Sequence, residues 1–197
     1  MKIVHGTYTG NGADDRQITG LGLASKLLFI TTDGAAVRWR SSDMTGDYSL
    51  RLGGGVSTVT NSIQALLSDG FEVGTATDVN TNGSTYYYLA FEADSAILET
   101  GTYTGNGLDN RNITTTNTPI ILFVGQGENP GFNMQGAAYR TSTITGDNSF
   151  RVDSALGLGA NLIQSLGAGS FQVGTDTYVN QDTIAYYWFS FAANADQ

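Results

Sequence analysis

Residues 6–16 read GTYTGNGADDR, and residues 101–111 read GTYTGNGLDNR. The glycines, the tyrosine and the closing arginine return in the same order, so the chain writes one structural unit twice. Outward from this pair, residues 6–18 align with residues 101–113 at an offset of 95, with 10 of 13 positions identical. Residues 40–91 align with 140–191 at an offset of 100, with 21 of 52 identical. The change of offset places five inserted residues in the second copy, within GQGENPGFNMQG, residues 125–136. A Gly-, Pro- and Asn-rich insertion between apolar runs is what a loop accommodates. The organisation that follows is a first repeat over residues 1–93 and a second over residues 94–197, with the boundary near Asp94.

Segments within each copy carry a period of two rather than 3.6. FEVGT and FQVGT turn Phe and Val to one side, and the runs KLLFI and PIILFV suit a central strand. TYYYLAF, residues 85–91, separates Tyr87, Leu89 and Phe91 from Tyr86, Tyr88 and Ala90; the matching face with Phe191 makes the first set the expected core side. Only NSIQALL, residues 61–67, and its counterpart NLIQSLG are open to a helical reading, and strand plus turn fits them equally. With 26 glycines, two prolines, ten tyrosines and nine phenylalanines, the composition favours short strands and tight turns. The expected class is all-β: two tandem homologous antiparallel β-sandwich domains, jelly-roll-like. Ile97 and Leu98 align with Ile3 and Val4 as the opening strand of the second copy.

The net charge of −9 opposes nucleic-acid binding, which needs a concentrated basic face. The second copy keeps three basic residues, Arg111, Arg140 and Arg151, each matching Arg16, Arg40 or Arg51 of the first. Positive charges retained only at repeating positions are read as serving the fold, forked onto carboxylates or turn carbonyls. Asp14 and Asp109, and Asp47 and Asp147, are the recurring acids and the expected partners; the functional alternative is a pair of anion sites. GNGADDR also offers oxygen ligands for calcium, but it lacks EF-hand spacing and Asp15 becomes Asn110 in the second copy. A tight turn is the simpler reading, and no cofactor is expected.

Catalysis has little to stand on. Cysteine is absent, and the single histidine, His5, has no counterpart in the second copy. No nucleophile-elbow motif accompanies it, so no enzyme activity is expected. MKIVHGTYTG has no apolar h-region, and no segment reaches the length of a bilayer span, so neither Sec export nor a membrane is expected. Six aromatics, Trp39, Tyr86, Tyr88, Tyr139, Tyr186 and Trp188, are candidates for an interface or, alternatively, a sugar-stacking platform. Phe132 and Met134 add apolar groups to the 125–136 insertion and make that loop a candidate contact.

The series GTYTGNG, (W/Y)R(S/T)S, TGD.S.R, GF.VGT, VN and YYY.AF resembles a β-sandwich repeat of uncharacterised tailed-bacteriophage proteins and some bacterial surface proteins. The resemblance spans nearly the whole chain twice and departs at GAGSF, where the first copy has SDGF. It implies a non-enzymatic virion structural protein assembled in the host cytoplasm, most specifically a head decoration or cement protein, with a tail or fibre component as the variant. The implied partners are the major capsid protein or other virion proteins, and the chain itself as a homo-oligomer. The alternative is a tandem carbohydrate-binding module of a secreted or surface protein.

Overall fold

A computed structural model of the chain describes residues 1–53, 59–127, 136–152 and 157–193. Contacts divide these residues into two compact units, the first holding residues 1–52 and 59–93 and the second Gly53 and the described residues from Asp94 onward. Almost all regular structure is antiparallel strand.

Unit 1 runs β1 (Ile3–Thr9), β2 (Arg16–Thr19), β3 (Ser25–Thr31), β4 (Arg38–Ser41), β5 (Tyr48–Arg51), β6 (Val59–Thr60), β7 (Ile63–Leu67), β8 (Gly70–Val73), α1 (Thr77–Asn80) and β9 (Thr85–Glu92). Its large sheet has the order β1-β9-β3-β4-β5-β6 and its small sheet β2-β8-β7. Unit 2 repeats this order with β10 (Leu98–Thr104), β11 (Arg111–Thr114), β12 (Pro119–Gln126), β13 (Ala137–Thr141), β14 (Ser149–Arg151), β15 (Leu158–Gly159), β16 (Ile163–Gly167), β17 (Ser170–Val173), α2 (Thr177–Asn180) and β18 (Ala185–Ala192). Its sheets are β10-β18-β12-β13-β14-β15 and β11-β17-β16. First strand pairs with last and second with penultimate, the nesting of a jelly roll; β3, β4 and β5 then continue as a meander in one sheet.

The two sheets of each unit enclose a core. In unit 1, Tyr8, Leu28, Ile30, Tyr86 and Ala90 of the large sheet meet Ile63, Phe71 and Val73 of the small one. In unit 2, Tyr103, Leu122, Val124, Tyr186 and Trp188 meet Ile163, Phe171 and Val173. The inward Phe and Val of FEVGT and FQVGT are therefore where their alternation puts them, fully buried. NSIQALL forms a strand, β7, from Ile63 onward.

One assignment reverses. Tyr86, Tyr88 and Ala90 face the core of unit 1, while Tyr87 is 54% and Leu89 37% exposed. Alternation defines two faces but does not orient them, and the small residues Ala90 and Ser190 mark the side where a second sheet must approach. The hydroxyls are what let tyrosine sit inside. Tyr86 Oη donates to Thr77 O at 2.6 Å and accepts from Thr81 N at 2.8 Å, so the ring is buried while its polar end ties both ends of α1. The strand opening unit 2 also shifts by one: Leu98 faces Phe191 where Ile3 faces Phe91, so Leu98 and not Ile97 holds the Ile3 position.

Candidate functional site

The repeated string resolves into a set of local tasks. Tyr8 stacks on Tyr86 with centroids 5.3 Å apart and donates from its hydroxyl to Val79 O at 2.6 Å. Tyr103 repeats both contacts with Tyr186 and Val179 O. Burial, reinforced by the neighbouring tyrosine, raises the Tyr8 and Tyr103 hydroxyls well above the usual phenol range. Burial also pushes Tyr186 up to about 12, against hydrogen bonds from Gln181 and Gln126 that pull it down. Gly6 and Gly101 lie beneath the cross-strand rings of Tyr88 and Trp188; a Cβ at Gly101 would stand 2.6 Å from Trp188 Cζ2. The turn that follows holds Asp15 at φ 52° and Asn110 at φ 57°, a left-handed conformation that Asp and Asn adopt most readily among side-chain residues. That backbone need accounts for the Asp-to-Asn change without a metal.

Each turn is fastened by one buried asparagine. Asn80, with no exposed surface, accepts from Asn11 N and Arg16 Nη1 and donates to Ala13 O, Gly74 O and Asn11 Oδ1. Asn180 makes the equivalent set with Asn106, Arg111, Leu108 and Gly174. Arg16 and Arg111 also donate to Thr9 O and Thr104 O, each at 2.5 Å, and lie 5.3 Å and 5.2 Å from the ring centroids of Tyr8 and Tyr103. Arg40 and Arg140 fork onto carbonyls: Arg40 onto Ile63, Met44 and Gly46, Arg140 onto Asn148, Ile163, Ile144 and Gly146. Burial lowers the Arg140 pKa, and Asp147 partly offsets it.

The recurring acids bind amides. Asp14 and Asp109 accept from Gln64 and Gln164, and Asp47 and Asp147 accept from the backbone N–H of Asn61 and Asn161, themselves left-handed at φ 54° and 59°. Among the described residues, arginine–carboxylate ion pairs form elsewhere, between Arg38 and Asp78 in unit 1 and between Arg151 and Asp176 in unit 2, the latter at 2.5 Å. Neither acid recurs, which is why comparing the copies passes over them. Arg151 also lies 4.9 Å from the Tyr178 ring centroid. In unit 1, β4 and β5 set Arg38 directly opposite Arg51. Burial, with the Arg51 charge adding to it, lowers the Arg38 pKa, and Asp78 opposes the shift.

Several clefts among the described residues lie on unit 1. One of about 660 Å³ is lined by Arg38, Arg51, Ala76, Thr77 and Asp78. A second, of about 340 Å³, contains Arg40, Met44 and Leu66 with the hydroxyls of Ser25 and Ser41, buried and without a hydrogen-bond partner among the described residues. The third, of about 370 Å³, is apolar and bordered by Phe29, Val37, Tyr87 and Leu89.

Of the six candidate interface aromatics, Tyr86, Tyr186 and Trp188 are buried in the cores, and the partly buried Tyr88 packs against the core of unit 1. Trp39 and Tyr139 occupy the opposite face of the large sheets. Tyr139 there continues an aromatic row, Phe189, Phe123, Tyr139 and Phe150, with successive centroids 4.8, 5.3 and 5.2 Å apart. Phe132 and Met134 lie outside the described residues. His5 is exposed on β1 opposite Leu89. Among the described residues no group of three or more His, Cys, Asp or Glu side chains is placed to hold a metal ion, and no helix is long and apolar enough to cross a membrane.

Fold and site together define an all-β chain whose repeating polar residues are engaged with their own backbone. Comparison with known proteins finds no matching family, curated protein or solved structure.

Proposed function

We propose that this chain is a non-enzymatic structural protein of a tailed-bacteriophage virion, a head decoration or cement protein in the first instance, with a tail or fibre component as the variant. One observation carries the reading. Polar groups that the two units share, among them Asn80 and Asn180 and the Arg40 and Arg140 forks, hold turns and strand ends, so this duplicated chemistry is that of a scaffold. A duplicated scaffold offers two related surfaces in one chain. Such a pair suits a symmetric lattice, where two weak contacts reinforce each other through a high effective concentration. The partners on this reading are the major capsid protein or other virion proteins.

The test is the copy number of the chain in purified virus particles from its source, measured by quantitative mass spectrometry against the major capsid protein. A fixed simple ratio to capsid subunits supports a decoration role, and a handful of copies per particle moves the assignment to the tail. Absence from particles overturns the proposal.

A further inference from the structure

The cleft of about 340 Å³ in unit 1 contains hydroxyls that the fold does not use. Ser25 pairs with Glu92 at the β-bulge that opens β3, which places its side chain on the core side of the large sheet, the side of Ala90. It lines the cleft and is 7% exposed, and its hydroxyl has no hydrogen-bond partner among the described residues. A buried hydroxyl in that condition costs stability. Unit 2 makes the same bulge without one, for Pro119 stands opposite Ala192 where Ser25 stands opposite Glu92. Ser41, also in the lining, repeats the contrast. Its hydroxyl is buried and without a partner among the described residues, whereas that of Thr141, the aligned residue of unit 2, lies 2.8 Å from the Thr143 hydroxyl. The strand geometry is thus achieved in unit 2 without the cost that unit 1 bears.

We propose that this cleft binds a small neutral polyol, one monosaccharide unit in size, through a hydrogen bond between a ligand hydroxyl and Ser25 Oγ. A hydroxyl both donates and accepts, so another hydroxyl is its natural complement. Met44, Ala65 and Leu66 supply an apolar wall for the C–H faces of such a molecule, and a volume of about 340 Å³ is at the small end of ligand sites. Arg40 brings a charge to the lining, but it directs its N–H groups at the carbonyls of Ile63, Met44 and Gly46. With the guanidinium committed to the backbone, the contacts left for a ligand are hydroxyl and apolar, which favours a neutral molecule over an anion. The inference is independent of the virion reading.

The experiment is an NMR titration of the ¹⁵N-labelled full chain with D-glucose, D-mannose and D-galactose in turn, and with inorganic phosphate as the anionic control. The expected result is a saturable shift of the Ser25, Ser42 and Leu66 amides with at least one of the sugars and none with phosphate. The Ser142 and Leu166 amides of unit 2 stay still. Ser25→Ala removes the hydroxyl without touching the backbone; it keeps a folded spectrum and a urea midpoint at or above that of the wild type, and it weakens sugar binding at least about fivefold. Failure of all three sugars to shift these amides, equal shifts in the two units, tighter binding of phosphate than of any sugar, or wild-type sugar binding by Ser25→Ala would each overturn the assignment. So would a lowered urea midpoint for Ser25→Ala, because the hydroxyl would then serve the fold.

Discussion

Units 1 and 2 share their strand order and their asparagine hubs, yet perform two tasks with different residues. The loop after β2 is held by Asp69, which accepts from Gly20 N and Gly22 N; the loop after β11 is held by Glu99, which accepts from Thr116 N and Asn117 N. The corner ion pair follows the same pattern, made by Arg38 with Asp78 in one unit and by Arg151 with Asp176 in the other. A backbone N–H or a buried guanidinium requires a carboxylate nearby and leaves open which element supplies it. The hubs are different in kind. Asn80 and Asn180 each satisfy donors and acceptors from several segments at once, and a substitute would need the same three-dimensional arrangement. The multi-segment hubs repeat, whereas these two carboxylate pairings have moved to other elements.

That distinction can be broken, the largest effect coming at the hubs. Asn80→Ala and Asn180→Ala are each expected to cost roughly 4 kcal/mol, with the two costs alike, because buried groups of several segments lose their partners together. Urea unfolding measures both, and a clear inequality would end the equivalence of the units. Asp78→Asn is expected to cost roughly 3 kcal/mol and Asp176→Asn roughly 1 kcal/mol, since Arg38 is 1% exposed and faces a second cation whereas Arg151 is 18% exposed and keeps the Tyr178 ring. Adding Arg38→Ala, the residue of unit 2, to Asp78→Asn should recover much of that loss.

The tyrosine pairs make a pH prediction. The folded Tyr8, Tyr103 and Tyr186 hydroxyls titrate above the unfolded value, so their contribution is intact below pH about 10. It is lost as pH rises, at about 1.4 kcal/mol per pH unit for each, because only the unfolded chain ionises there. Urea midpoints between pH 9 and pH about 11.5 follow this loss, and Tyr186→Phe should lessen its slope. The smallest effect is expected for Asp15→Asn, the residue of unit 2. Its left-handed turn accepts either side chain, and an unchanged urea midpoint is the outcome that fits.

Fold class was legible in the sequence because alternation and turn chemistry are local, and the repeat was legible because hub residues cannot move independently. The orientation of TYYYLAF was not. Both of its faces are aromatic, and what turns Tyr86 inward is a hydroxyl reaching Thr77 and Thr81, a contact that no periodicity displays. Helices α1 and α2, four residues each, are too short for a 3.6-residue pattern to emerge. Arg40 and Arg140 were legible as structural because they recur with the TGD turn whose carbonyls they bind. Arg38–Asp78 was hidden by the very comparison that exposed the rest, since neither member has an equivalent in unit 2.

The pairing of first strand with last also governs how each unit comes into being. Ile3 aligns with Phe91 and Leu98 with Phe191, so each large sheet is completed only when the two ends of its unit meet. During synthesis β1 has no partner until β9 has emerged from the ribosome. Closing so long a loop before its contacts reward it places such topologies among slow folders, on the order of milliseconds to seconds. An edge strand waiting that long is exposed to pairing with another nascent chain, and threonines alternating along IVHGTYT and LETGTYT keep one side of it polar meanwhile.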